Sequence, residues 1–85
     1  MNLQPVSGVD PTIWSVFVTK KAKSRDGMIV VSPLDVALAA AVCPEMVSVA
    51  KRRKVSSLEK VAAIATECGH SMRRVFSVMH DFYAQ

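Results

Sequence analysis

Prolines and a glycine divide most of this sequence into short helical segments. Ser32 followed by Pro33 is typical of a helix start, because serine caps free backbone amides and proline tolerates the first helical position. Pro44 ends that helix and can begin the next, over about 44–54. The predicted apolar stripe of this second helix contains Met46, Val47 and Ala50. Gly69 ends a later helix as a left-handed cap. The sequence therefore predicts a mainly α fold, a small bundle of short helices.

Two amphipathic helices are predicted on either side of that glycine. Ser56 and Glu59 have the spacing of a capping box, which predicts a helix over about 57–68. Ser71 is the predicted cap of the next helix, over about 71–83. Apolar residues recur at helical spacing in both segments: Leu58, Val61, Ala62 and Ala65 in the first, and Met72, Val75, Phe76, Met79 and Phe82 in the second. Each helix is therefore expected to bury one face.

The N-terminal third of the sequence fits either a helix or a hairpin. Asp10 and Pro11 form a favourable helix start, and Trp14 and Phe17 then lie on one side. The same region is rich in β-branched and aromatic residues, which favour a strand that pairs with residues 28–31. We favour the helix, with a short N-terminal β-hairpin as the alternative.

Positive charge is concentrated in the C-terminal half of the chain. The formal net charge is +4, and residues 1–45 carry four basic and four acidic groups, so the whole excess lies within residues 46–85. A one-sided basic surface of this kind attracts polyanions, above all nucleic acid.

The chain is predicted to form one small cytoplasmic domain. With 85 residues, it has room for a single helix-turn-helix domain over residues 10–85, preceded by a flexible arm over residues 1–9. The first basic residue is Lys20, which does not fit a secretory signal. No apolar run approaches the roughly 18 residues that span a membrane. We therefore expect a cytoplasmic protein without membrane association.

Cysteine, histidine and acidic residues show no pattern typical of a metal or catalytic site. Cys43, Cys68, His70 and His80 match no standard zinc-ligand spacing. No Ser-His-Asp, Cys-His or paired-carboxylate arrangement is evident, and no glycine-rich loop suits phosphate binding. We therefore expect no enzyme activity, no metal, no cofactor and no small-molecule ligand.

The spacing around Gly69 fits a helix-turn-helix. In this motif the turn needs a residue that tolerates positive φ, and the first helix needs a small residue where the second helix crosses it. The second helix also needs buried apolar residues beyond the turn. The predicted packing residues are Ala65, Cys68, Gly69, Val75 and Val78. His70 departs from the pattern, because this position usually holds an aliphatic residue.

The start of the second helix is predicted to read DNA bases. Arginine suits a bidentate contact with O6 and N7 of guanine, and a serine at a helix N-terminus can bind a phosphate. The predicted base-contacting residues are Ser71, Met72, Arg73, Arg74 and Ser77. Basic groups before the motif are expected to hold the DNA backbone without sequence preference. These predicted phosphate-contacting residues are Lys51, Arg52, Arg53, Lys54 and Lys60.

The segment EKVAAIATECGHSMRRVFSVMHDFY, residues 59–83, resembles the small Kor repressors of broad-host-range conjugative plasmids. The resemblance covers the helix-turn-helix and the overall size. It implies a homodimeric transcriptional repressor that binds palindromic double-stranded operator DNA and silences plasmid operons. It also implies that the five predicted base-contacting residues face the major groove.

The sequence leaves the function class and the dimer interface open. A small protein-binding module, such as an antitoxin or a phage-type inhibitor of a host protein, is the alternative function. A dimer is expected to form through apolar residues of the N-terminal third or through the C-terminal end. The first group contains Ile13, Trp14, Phe17, Ile29 and Val31, and the second contains Phe82 and Tyr83.

Overall fold

Five helices form within residues 8–84, the part of the chain that the computed structural model describes. In chain order they are α1 (Pro11–Lys20), α2 (Pro33–Ala40), α3 (Glu45–Arg52), α4 (Leu58–Glu67) and α5 (Met72–Tyr83). The predicted mainly α class is confirmed. Of the predicted arm, residues 1–7 lie outside the described part, and Val9 is buried in the core. None of these five helices combines the length and apolar character needed to cross a membrane.

The N-terminal third forms the favoured helix. Asp10 caps α1, because its Oδ1 accepts a hydrogen bond from the Thr12 amide at 2.7 Å. Trp14 and Phe17 lie three residues apart on the inner side of α1 and are buried. Burial of two large aromatic side chains outweighs the β propensity of this segment, since propensity is only a weak preference.

The alternative hairpin, in which the segment of α1 would pair with residues 28–31, does not form, and the loop between α1 and α2 has only a local bridge. Gly27 has a φ of 79°, and a single antiparallel bridge joins Lys23 to Ile29 across this turn. A second bridge joins Val30 to Ser57, just before α4. These backbone contacts hold the fully buried side chain of Ile29 against the helices.

Most helix starts follow the predicted capping residues. Ser32 forms a capping box with Asp35, in which each side chain accepts a hydrogen bond from the other's backbone amide, at 3.3 and 2.7 Å. The predicted cap at Ser56 is wrong: α4 is capped by Ser57, whose Oγ accepts from the Lys60 amide at 3.3 Å. The carbonyl of Ser56 accepts a hydrogen bond from the loop between α1 and α2, so the helix begins one residue later.

The buried face of α3 differs from the predicted stripe. Met46 and Val49 are buried, whereas Val47 is 46% exposed and Ala50 is half-buried. Helix α3 contacts both α2 and α4. Because this helix has only eight residues, Met46 and Val49, three positions apart, are enough to form its buried face. The prediction was therefore wrong at Val47.

Helix α5 packs against α1, α2 and α4. Its buried residues are Val75, Phe76 and Met79. The ring of Phe76 meets Trp14 and Phe17 edge-on, with centroid distances of 6.2 and 5.8 Å, an arrangement that aromatic rings favour. Phe82, which was predicted on the same stripe, is 44% exposed near the end of the helix. The inner face of α5 therefore packs in the core, and its outer face is exposed to solvent.

A buried polar cluster joins the ends of three helices. The Asp35 carboxylate, at the start of α2, accepts hydrogen bonds from Lys21, which follows α1, and from Tyr83, at the end of α5. The Lys21 ammonium also donates to Tyr83 Oη at 3.3 Å. Burial alone would raise the pKa of Asp35, but hydrogen bonds from Lys21, Tyr83 and the Ser32 amide, with the charge of Lys21, hold that pKa below its usual 3.8.

Candidate nucleic-acid interface

A short corner, residues 68–71, joins α4 to α5. The His70 amide donates to the Ala65 carbonyl at 2.9 Å, and the Gly69 amide donates to the Thr66 carbonyl at 3.1 Å. This is the hydrogen-bond pattern of a Schellman motif, which satisfies carbonyls at the end of a helix. Gly69 has a φ of 77°, the left-handed conformation predicted for it. The corner therefore closes α4 and leads directly into α5.

Helix α5 begins at the predicted cap. Ser71 Oγ accepts a hydrogen bond from the Arg74 amide at 3.4 Å. Among the other predicted packing residues, Ala65 and Val75 are fully buried, whereas Cys68 and Val78 are only half-buried. The two helices are in contact. The arrangement thus has the short corner and the buried small residue that a helix-turn-helix needs, with looser packing at two positions.

The polar residue at position 70 has an acidic partner on α3. His70 Nε2 lies 2.7 Å from Oε2 of Glu45, the first residue of that helix, and the imidazole side chain is 28% exposed. The hydrogen bond from Glu45's own backbone amide, followed by that from His70, holds the pKa of Glu45 below its usual 4.5. No local sequence pattern connects these two residues, which are 25 positions apart.

Both cysteines lie beside this pair. The Cys43 thiol donates to Glu45 Oε2 at 3.4 Å, and the two Sγ atoms and a Glu45 carboxylate oxygen all lie within 4.8 Å of one another. Cys43 is buried and Cys68 half-buried, and neither forms a disulfide. Burial, together with the hydrogen bond to Glu45, raises the pKa of the Cys43 thiol to about 11. We call Cys43, Glu45, Cys68 and His70 the corner cluster.

The first turn of α5 presents two exposed arginines. Within residues 8–84, neither Arg73 nor Arg74 forms an ion pair with an acidic side chain. Ser71 is also exposed, whereas Ser77 is half-buried and Met72 packs partly against the core. Ser71, Arg73 and Arg74 are therefore the exposed members of the predicted base-contacting set.

An open groove of about 550 Å³ borders the corner. Thr66 of α4 lines it together with Ser71 and Arg73. The exposed start of α5 and the end of α4 therefore share one concave surface.

The five predicted phosphate-contacting residues are all exposed. Arg53 follows α3 and pairs with Glu67, the last residue of α4, with Nη1 3.3 Å from Oε2. Lys60, in the first turn of α4, lines a cavity of about 220 Å³ together with Lys54. Lys51 and Arg52 occupy the last turn of α3. Arg53, Lys54 and Lys60 therefore lie beside α4, whereas Lys51 and Arg52 belong to α3, and Arg53 already has an acidic partner.

No protein-family model matches this chain, and the comparisons with curated proteins and with solved structures gave no match either. Any functional assignment therefore depends on the geometry of the corner and on the charges around it.

Proposed function

We propose that this protein is a cytoplasmic, sequence-specific DNA-binding repressor in which α4 and α5 act as a helix-turn-helix. Helix α5 enters the major groove with its first turn toward the base edges. The observation that carries the proposal is that Arg73 and Arg74 are exposed directly after a capped glycine corner, without acidic partners in the described chain. A guanidinium group without an acidic partner has all of its N–H donors available for the O6 and N7 acceptors of guanine.

The basic groups near α4 support the same proposal. Phosphate contacts position a protein on the duplex, whereas base contacts specify the sequence. The exposed Lys51, Arg52, Arg53, Lys54 and Lys60 serve the first role, and the arginines of α5 serve the second. This division predicts that different substitutions will affect affinity and sequence preference separately.

The proposed repressor is a homodimer of the Kor type on a palindromic operator, where it covers a promoter. Two copies of α5 then lie in successive major grooves about 34 Å apart. Trp14, Phe17 and Ile29 are buried in the core of a single chain and are not available to a partner. Exposed Phe82, near the end of α5, favours the C-terminal alternative for the dimer face. Leu34 is exposed as well. It lies at the same end of the molecule as Phe82, since its neighbour Asp35 contacts Tyr83.

The first test is selection of bound duplexes from a random pool, followed by a comparison of Arg73→Ala with Arg52→Ala. Loss of Arg73 should weaken binding to the selected site by about 1–3 kcal/mol and leave random DNA nearly unaffected. Loss of Arg52, the matched control, should weaken binding to both duplexes similarly. Equal losses on selected and random DNA for Arg73→Ala would contradict the base-reading role.

The salt dependence of binding separates this proposal from the protein-binding alternative. Affinity for the selected duplex should fall steeply with salt, with a logarithmic slope of about −0.9 for each phosphate neutralised. Weak DNA binding without a preferred sequence, together with a stable complex with a host protein, would instead support the antitoxin or inhibitor class.

A further inference from the structure

We propose that the corner cluster binds a zinc ion, with Cys43, Glu45 and Cys68 as ligands and His70 as the fourth. The proposal is independent of DNA binding, since it depends only on the side chains behind the corner. Two separate parts of the chain supply the ligands: the start of α3 with the residue before its cap, and the corner after α4. Such an ion would hold the start of α3 against the turn that positions α5.

The donor atoms are already close together. The two Sγ atoms and the Glu45 carboxylate oxygen lie within 4.8 Å of one another, and His70 Nε2 lies 2.7 Å from Glu45 Oε2. In a tetrahedral zinc site with bonds of about 2.0–2.3 Å, neighbouring ligand atoms are separated by roughly 3–4 Å. Cys43, Glu45 and Cys68 can therefore share one ion after small side-chain rotations, and His70, which is held beside Glu45, must turn toward the thiols to complete the set.

The chemistry of the four donors favours zinc over hard cations. Calcium and magnesium prefer sites made entirely of oxygen ligands, whereas two thiolates and an imidazole suit a borderline ion such as Zn²⁺. Both thiols lose their protons to solvent when the ion binds. The ligands occur as two pairs, Cys43-Pro44-Glu45 and Cys68-Gly69-His70. This spacing differs from the usual zinc motifs, so only the fold brings the pairs together.

The burial of the ligands suits a structural site that an ion can reach. Cys43 is the fully buried member of the cluster. The side chains of His70 and Glu45 are 28% and 49% exposed, which leaves an open side toward solvent. A structural zinc site is normally complete with four protein ligands, and the corner cluster supplies that number.

The test uses the purified full chain, reduced and treated with a chelator, then titrated with Co²⁺ and with Zn²⁺. We expect one ion per chain, a thiolate-to-cobalt charge-transfer band, and the visible absorption of tetrahedral cobalt, which Zn²⁺ should remove by displacement. Zn²⁺ should also raise the melting temperature, since it binds the folded chain preferentially. Cobalt binding without the thiolate band would overturn the proposal.

Single substitutions identify the ligands. Cys68→Ser, at a half-buried position, should abolish the charge-transfer signal of that thiolate, and both Cys68→Ser and His70→Gln should lower zinc affinity by more than the roughly 10–100-fold typical of losing a residue that only supports a ligand. Cys43→Ser should have the same effect as Cys68→Ser, and circular dichroism checks that each variant is folded. His80→Gln is the control, because this histidine contacts Asp81 and not the cluster. Wild-type zinc affinity in Cys68→Ser, or a large loss in His80→Gln, would overturn the assignment.

Discussion

Gly69 is the residue on which the corner between α4 and α5 depends most directly. Its φ of 77° is one that side chains with a Cβ adopt at a cost of roughly 1–2 kcal/mol. A Cβ added at this position would meet no atom within 4 Å. The requirement for glycine is therefore conformational and not a matter of space.

The first prediction at this scale concerns substitution of that glycine. Gly69→Ala should lower the free energy of unfolding by roughly 1–2 kcal/mol, measured by denaturant titration. Gly69→Asn is the matched comparison and should cost less, because asparagine adopts the left-handed conformation more readily. If alanine were tolerated without loss, or asparagine cost more than alanine, the conformational explanation would be wrong.

Several residues could be assigned from local patterns alone. Ser32, Gly69 and Ser71 each have the capping role predicted for them, because caps depend on residues three or four positions apart. Ser57 displaced Ser56 through a backbone contact with a distant loop, which no local pattern contains. The corner cluster could not be predicted for the same reason. Its two halves are about 25 positions apart, and the sequence pattern grouped Cys43, Cys68 and His70 with His80 instead of with Glu45.

The helices are held to one another by both apolar and polar contacts. Helix α5 could be predicted as amphipathic, and its burial of Phe76 against α1 follows from that pattern. The cluster of Lys21, Asp35 and Tyr83 could not be predicted, since 14 positions separate Lys21 from Asp35 and 48 separate Asp35 from Tyr83. The sequence therefore indicates most of the face that α4 and α5 bury, less of that of α3, and not which helix ends meet.

A prediction at the scale of elements tests this cluster. Lys21→Met leaves the buried Asp35 carboxylate without its cation and should lower the free energy of unfolding by about 3–5 kcal/mol. The double variant Lys21→Met/Asp35→Leu should be more stable than Lys21→Met alone, because no unpaired charge remains in the interior. Thermal and denaturant unfolding measure both. If the double variant were less stable than Lys21→Met, the loss in Lys21→Met would not come from an unpaired buried charge.

For the whole molecule, the same cluster sets a pH range of maximum stability. The lowered pKa of Asp35 contributes stability above the ordinary value of 3.8 that is lost as pH falls through the folded value. Burial alone would lower the pKa of Lys21, but hydrogen bonds to Asp35 and Tyr83 raise it above 10.5. Burial and the hydrogen bond to Asp35 raise the pKa of Tyr83 above 10.0. The contributions of both groups are lost at alkaline pH.

We therefore expect stability to fall below about pH 4 and above about pH 10. Asp35→Asn should lower stability at neutral pH and flatten the acid limb of the profile, because one carboxylate with a lowered pKa is removed. Asp26→Asn, at an exposed position, is the control and should leave the limb unchanged. An unchanged acid limb in Asp35→Asn would contradict the role of this carboxylate.

The oligomeric state gives a second prediction at this scale. In the proposed dimer, Phe82→Glu should shift the protein toward monomer and weaken binding to the proposed operator, because a charge would replace the exposed apolar side chain near the end of α5. Sedimentation velocity and duplex titration measure the two effects. Val47→Glu, at an equally exposed apolar position on α3, should leave both unchanged. A dimer that survives in Phe82→Glu would place the contact between copies elsewhere.

If the protein binds DNA as proposed, the surface ion pair between Arg53 and Glu67 affects how many cations are released from the duplex. The Arg53 guanidinium already pairs with the Glu67 carboxylate, so it must give up this contact to bind a phosphate. One of the five proposed phosphate-contacting side chains is therefore partly neutralised before the protein meets DNA, and the cations displaced from DNA should number fewer than those side chains. Glu67 would in this way moderate attraction to arbitrary polyanions, so that discrimination falls to the groups that read the bases.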